Sequence, residues 1–396
     1  MPGHKGIIDR ADITEVSGAV DIIGESERNA AELFGASRTL FSCSGSSLCI
    51  SAMLAFCKNG DTTRVAAMRG SHRSFIDSAI LIGFDVDLFS PSCTPEEITA
   101  CITPETAAVF VTSIDYYGNM CDIEPIAKIC RGLNLPLLVD NAHGAYLVFT
   151  DLHPIKLGAA MSTDSAHKTL PALTGAAYLH LKCSPDYLKA AEDAMSLFGS
   201  SSPSYLILHS LDLCNKHIFE EKERALSAFD AVAKLKEDLG QIGYSLRKSD
   251  LLRITIDANA YGYSGADYAK ELLNCGIVPE MCDFRYVILL FSTITQNKNT
   301  QRVFKAMKNI QKKQAIPADR TETLLNLSTA LNPRKAYFSP KLTIPIRESV
   351  GRVCAGVHVT LPPCAPIVVP GEIISAEAVL LLEKCGISAI DVVRSI

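Results

Sequence analysis

Leu135-Pro-Leu-Leu-Val-Asp140-Asn-Ala-His-Gly144 is the stretch on which the fold turns. An apolar run of strand length ends in an aspartate, and small, turn-forming residues follow at once. Such continuous runs are expected for strands covered on both faces, as in a parallel sheet. Open α/β sheets take their ligands beyond the carboxyl ends of the strands, so Asp140 is placed to meet one. An aspartate there also serves as a helix cap or turn residue, and both readings stand on this stretch alone.

Working outward, Ala107–Ser113 is a second continuous apolar run, and 64–68 and 85–89 read as short strands. Between these two lies Gly70-Ser-His72-Arg73-Ser74, opening a helix over 75–82. Upstream, strand-like 39–43 runs through Ser44-Gly45-Ser46-Ser47 into an apolar helix over 48–57. A strand, a Gly/Ser turn and a helix N-terminus can bind phosphate through free N–H groups and the helix dipole, with Ser46 and Ser47 adding hydroxyls. The same pattern is also that of an ordinary N-cap. Strands alternating with helices from about 36 to 182 predict an α/β fold, a mostly parallel sheet with helices on both faces.

Downstream comes Ser162-Thr-Asp-Ser165-Ala-His167-Lys168-Thr-Leu-Pro-Ala-Leu-Thr-Gly175. Its one lysine sits among small and hydroxyl residues with apolar segments on both sides. Such a lysine is either a solvated surface charge or a desolvated amine. The latter loses its proton readily and attacks carbonyls, most commonly as a Schiff base with pyridoxal phosphate. One strand-like segment separates it from Asp140, so both can reach one cofactor.

Composition narrows the classes. The chain has 396 residues, 48% hydrophobic and 20% charged, with a net charge of −5. Nothing in that balance attracts nucleic acid or an anionic membrane. No apolar run is long enough to span a bilayer, and no signal region opens the chain. The 14 cysteines are scattered without a C-x-x-C pair, which reads as reduced thiols of a cytoplasmic protein. No cysteine–histidine cluster has metal-ligand spacing, so no metal is expected. Neither a dinucleotide fingerprint nor a P-loop is present.

Residues 1–30 are polar and read either as a segment lying on a neighbour or as a frayed terminus, with a helix starting after Ser26. Residues 31–245 predict the large domain and 246–396 a smaller α+β domain. In the latter, 251–257 alternates as a half-buried strand and 265–275 is helical. A helix over 187–197 is broken by Gly199-Ser-Ser201-Ser202-Pro-Ser-Tyr205, and one long charged helix is expected over 218–239.

Pro2-Gly-His-Lys-Gly6, Ser44-Gly-Ser-Ser47, Ser71-His-Arg-Ser74, Asp140-Asn-Ala-His-Gly144, Ser165-Ala-His-Lys168, Ser201-Ser-Pro-Ser-Tyr205, Tyr261-Gly-Tyr-Ser-Gly265 and Pro370-Gly-Glu372 run in one order over nearly the whole chain. In that order the chain resembles the Orn/Lys/Arg decarboxylase family, in a short form without the N-terminal receiver-like domain. The resemblance implies fold type I, the aspartate-aminotransferase-like architecture of pyridoxal-phosphate enzymes. It implies release of carbon dioxide from arginine, lysine or ornithine, giving amines of polyamine metabolism. Lys168 would carry the cofactor, Asp140 would pair with its ring nitrogen, and His72 and Ala142 would cover the two ring faces. Ser46, Ser47, Ser165 and His167 would hold the phosphate. Ser201 or Ser202 of a second subunit would complete that site, making a homodimer. His143 and Lys168 are both candidates for proton transfer. The family's usual glutamate after Asp140 is here Asn141, and its Pro-Tyr-Pro-Pro-Gly pattern reads Thr360-Leu-Pro-Pro-Cys364. Glu280 and Asp283 are candidates for the distal charge of the substrate. An aminotransferase or lyase of the same fold would instead need a carboxylate clamp, for which Arg253 is the candidate. A non-catalytic homologue that binds the cofactor is the third reading.

Overall fold

The computed structural model describes residues 21–182, 188–317, 327–358 and 365–394. Two compact units divide the chain. The first comprises residues up to Ser113 and Cys121–Glu221, and the second Ile114–Met120 and Lys222 onward. The division falls between Glu221 and Lys222, upstream of the boundary expected at 245. Helix Lys222–Gln241 packs within the second unit, against helix Asn297–Lys308.

The first unit is built on seven strands: β1 (Arg38–Ser42), β2 (Arg64–Met68), β3 (Asp85–Phe89), β4 (Thr106–Thr112), β5 (Leu137–Asp140), β6 (Met161–Asp164) and β7 (Ala177–Leu181). They lie in the order β1-β7-β6-β5-β4-β2-β3. Neighbours from β3 to β6 are parallel, and β7 runs antiparallel to both β6 and β1. β4, β5, β6 and β7 are buried along their whole length, as expected when helices cover both faces, although β6 is mostly polar (Met161-Ser-Thr-Asp164). Beneath β2, β4 and β5, Val109, Val111, Val139 and Ile126 form one core cluster with Ile98 and Cys130.

Several helix bounds differ from expectation. The first helix among the described residues spans Ile22–Phe34 and is capped by Asp21, whose carboxylate accepts from the Gly24 N–H at 2.8 Å, so Ser26 lies inside it. The single helix expected over 218–239 is two, Tyr205–Glu220 and Lys222–Gln241, because the backbone leaves helical geometry at Glu221. Of the segment 1–30, residues 1–20 lie outside those described, as do 361–364 of the proline-rich stretch.

The second unit holds an antiparallel sheet ordered β10 (Met281–Cys282), β11 (Tyr286–Leu290), β9 (Arg253–Asp257), β8 (Leu246–Arg247). β12 (Lys341–Pro345) pairs antiparallel with β13 (Ala389–Val393). Arg253 is the candidate carboxylate clamp of the alternative reading. It is 1% exposed, and its guanidinium donates to the buried Asp250 carboxylate at 2.6 Å. Asp283 accepts from the Tyr117 hydroxyl at 2.8 Å and from the Tyr286 N–H at 2.6 Å, whereas Glu280 is exposed. Among the described residues, no helix is long and apolar enough to cross a membrane.

Candidate active site

Parallel strands end together, so the residues that follow them gather at one edge of the sheet. His72 follows β2, Asp140 closes β5, and Lys168 sits in the link from β6 to β7. The link carrying Lys168 passes beside the turn after β1, where the Gly45 N–H donates to the Gly175 carbonyl at 2.8 Å. Gly175 has φ of +97°, and a Cβ there would stand 3.0 Å from the Cys43 carbonyl, so a side chain would push the two turns apart.

Asp140 is 4% exposed and accepts from the Ala142 N–H at 3.1 Å. Burial drives its pKa up, and the charges of His72 and Lys168 with the Ala142 N–H only partly oppose this. The carboxylate is thus left short of positive charge. Lys168 Nζ lies 3.1 Å from His143 Nε2, a hydrogen bond between the two candidate proton carriers. His72 caps helix Arg73–Ile82, accepting the Ser74 N–H at Nδ1 over 3.2 Å. That bond leaves the proton of a neutral ring on Nε2. Burial is the main cause that lowers the pKa of His72, opposed by Asp140 and reinforced by Lys168.

Helix Gly45–Cys57 begins beside this group without a side-chain cap, since Ser44 makes no capping bond. Its first-turn N–H groups therefore have no side-chain acceptor. Ser46 Oγ and Ser165 Oγ meet at 2.8 Å in a buried pair, and Ser47 is exposed one residue on. His167 Nδ1 lies 2.9 Å from the Ala176 carbonyl. An open helix N-terminus lined by hydroxyls fits a phosphate, and a buried carboxylate lacking counter-charge fits a protonated ring nitrogen. The residues present therefore fit pyridoxal phosphate. Ser201 and Ser202 stand apart from this group in their burial, both exposed in the link before helix Tyr205–Glu220.

The sequence reading missed a second cluster just beneath. His153, Asp164 and His180 are buried with their ligand-type atoms within 4.8 Å of one another. His153 Nε2 donates to Asp164 Oδ2 at 2.9 Å, and His180 Nε2 stands 3.6 Å from the same oxygen. Burial alone would raise the Asp164 pKa, but the two histidines hold it well below the usual carboxylate range. Burial also lowers His180. The histidines at 153 and 180 share no motif spacing with Asp164, so only the isolated His180 inside an apolar strand hinted at them.

These shifts set an acid sensitivity. His72 and His180 have folded pKa values below their ordinary 6.5, so the unfolded chain binds more protons beneath that value and stability falls as pH falls. Asp164, depressed from 3.8, adds a further loss at lower pH, while the raised Asp140 opposes it. The cofactor-free protein should show a falling unfolding midpoint from about pH 7 to about pH 5. A midpoint that rises over that range contradicts the assignment.

The fold and the site together define fold type I, the aspartate-aminotransferase-like class of pyridoxal-phosphate enzymes. Residues 7–256 match the family described as Orn/Lys/Arg decarboxylase, major domain. The chain belongs to that family, and it is an amino-acid decarboxylase of the class that uses pyridoxal phosphate. The arginine decarboxylase of Bacillus subtilis is 28% identical, over 92% of this chain and 81% of that protein. The uncharacterized protein YaaO of the same organism is 29% identical, over 97% and 90%. Among solved structures, the constitutive lysine decarboxylase of E. coli superposes with a TM-score of 0.76 at 17% identity, covering 98% of this chain and 75% of that one. An SPT with PLP gives a TM-score of 0.60 at 14% identity, covering 74% and 77%.

Proposed function

We propose that this protein releases carbon dioxide from a basic amino acid, arginine ahead of lysine or ornithine, at a pyridoxal-phosphate site built on Lys168, Asp140, His72 and His143. The observation that carries this is the convergence of those four side chains at the carboxyl edge of the sheet, beside an uncapped helix N-terminus. The order of substrates follows the relatives in sequence, which include the arginine decarboxylases of Bacillus subtilis and Halalkalibacterium halodurans.

Each residue has a task. Lys168 Nζ is the nucleophile that holds the cofactor, with Ser46, Ser47, Ser165, His167 and the first turn of helix Gly45–Cys57 taking its phosphate. Asp140 pairs with the ring nitrogen, and His72 and Ala142 enclose the ring. When bound, pyridoxal phosphate supplies an electron sink for the pair left on Cα as carbon dioxide departs. The Cα–carboxylate bond breaks and one proton must be delivered to Cα. Lys168 and His143, 3.1 Å apart, form the relay that delivers it. Arg253 is already engaged by Asp250 within the second unit, which removes the candidate clamp of an aminotransferase.

The active form is a dimer in this reading. Leu197 and Leu206, 72% and 73% exposed, flank Ser201 and Ser202 in the chain with apolar surface for a second copy to cover. The test is incubation of the pyridoxal-phosphate-loaded protein with arginine, lysine and ornithine in turn. Release of carbon dioxide with the matching amine is the expected result. Keto-acid formation, or no turnover of any of the three, refutes the reading.

A further inference from the structure

Asp164 ends β6 one residue before the turn that carries Ser165, His167 and Lys168. Its side chain faces the turn after the neighbouring β5. Asn141 Nδ2 donates to Asp164 Oδ1 at 2.9 Å, both residues being fully buried. Asn141 lies between Asp140 and His143, so this one bond joins the two turns that hold all four groups except His72. The link is aimed by the backbone. The Asn141 N–H donates to the Thr163 carbonyl at 3.0 Å, and its own carbonyl accepts from the Gly144 N–H at 2.7 Å. A Cβ at Gly144 would stand 2.0 Å from Asn141 Oδ1, so the glycine is what lets the amide fold back over the turn.

An ionised carboxylate this deep needs counter-charge and hydrogen bonds to stay. His153 donates to Oδ2 at 2.9 Å and His180 Nε2 stands 3.6 Å from the same oxygen, leaving Oδ1 for Asn141 and, at 3.4 Å, the Ser162 hydroxyl. The histidines are themselves fixed. Thr39 Oγ1 meets His180 Nδ1 at 2.8 Å, and the Phe34 ring lies 4.1 Å from that imidazole. The cluster is thus a rigid post with one arm reaching the Asp140 turn.

We propose that Asp164 is a positioning residue that locks the Asp140–His143 turn to the Lys168 turn through Asn141, with His153 and His180 holding its carboxylate in place. The lock deepens the proposed function, and its geometric part is testable without that function. In cofactor-free protein, Asn141→Ala should speed amide exchange about tenfold or more in both 141–144 and 165–170, with the β9–β11 sheet unchanged. Exchange that quickens only around residue 141, or evenly everywhere, overturns the lock. In the second arm, Asn141→Ala and Asp164→Ala should each weaken pyridoxal-phosphate binding by roughly tenfold, and the double variant by no more than the worse single. Independent, multiplying effects also overturn it. Asn141→Ala leaves the histidine–aspartate core intact, so exchange still decides if Asp164→Ala does not fold. Coupled loosening in a chain that binds no pyridoxal phosphate would overturn the proposed function and leave the lock standing.

Discussion

In the Lys168→Ala protein the visible band of the Schiff base that links pyridoxal phosphate to the chain should vanish, and turnover of a basic amino acid should fall by on the order of 10⁴-fold or more. The size follows from what is removed. Alanine deletes the amine that converges with Asp140, His72 and His143, and with it one of two proton carriers, Nζ standing 3.1 Å from His143 Nε2. The phosphate cradle keeps its own residues, the Ser46–Ser165 pair and the helix beginning at Gly45. The variant should therefore still bind the cofactor, without a covalent link. Borohydride treatment separates the cases: in the parent protein it fixes the cofactor to the peptide containing residue 168, and in the variant to nothing. Lys168 is only partly buried, so the unfolding midpoint should move little. A visible band or a labelled peptide surviving in the variant would place the covalent link on another lysine.

The parts of this site that read plainly in the sequence are those whose chemistry is local. Asp140 ends an unbroken apolar run, and the structure finds β5 buried at all four positions. β2 and β3 occupy the bounds their apolar pattern gave. What sequence order hides is what folding brings from afar. His153, Asp164 and His180 meet only because β6 and β7 pair antiparallel while the chain before β6 returns beneath Phe34. Asn141 read as a departure from a familiar motif, yet its amide has a partner on the next strand. Helix Tyr205–Glu220 was hidden by the Gly/Ser/Pro stretch before it, although Ser204 caps it through the Ile207 N–H. The break at Glu221 is invisible to periodicity, because the charged run Glu220-Glu-Lys-Glu-Arg224 continues across it. The partner of Arg253 was hidden for a related reason: alternation marks which residues share a face, not whether a neighbour such as Asp250 neutralises a charge on it.

Asp140→Asn should separate stability from catalysis. The substitution keeps the shape and an oxygen able to accept the Ala142 N–H, now at 3.1 Å, and removes the charge. Burial raises the Asp140 pKa against the pull of His72 and Lys168, so the ionised carboxylate is held at a cost in the cofactor-free fold. By the sign of that shift, this cost grows as pH rises above the ordinary carboxylate value of 3.8. The neutral amide relieves it, and the cofactor-free variant should unfold at the same temperature as the parent protein or higher near pH 7. Catalysis should move the other way. Asparagine cannot balance a protonated ring nitrogen, so the electron sink weakens and turnover should drop about 10²- to 10⁴-fold, with the covalent link to Lys168 still formed. Purified protein settles both halves, by thermal unfolding without cofactor and by carbon dioxide release with it. A variant that unfolds earlier and loses turnover in step would make Asp140 a structural acid; one that keeps its turnover would remove it from the site. Only the opposed changes, a firmer fold and a slower reaction, belong to a carboxylate buried for the cation it awaits.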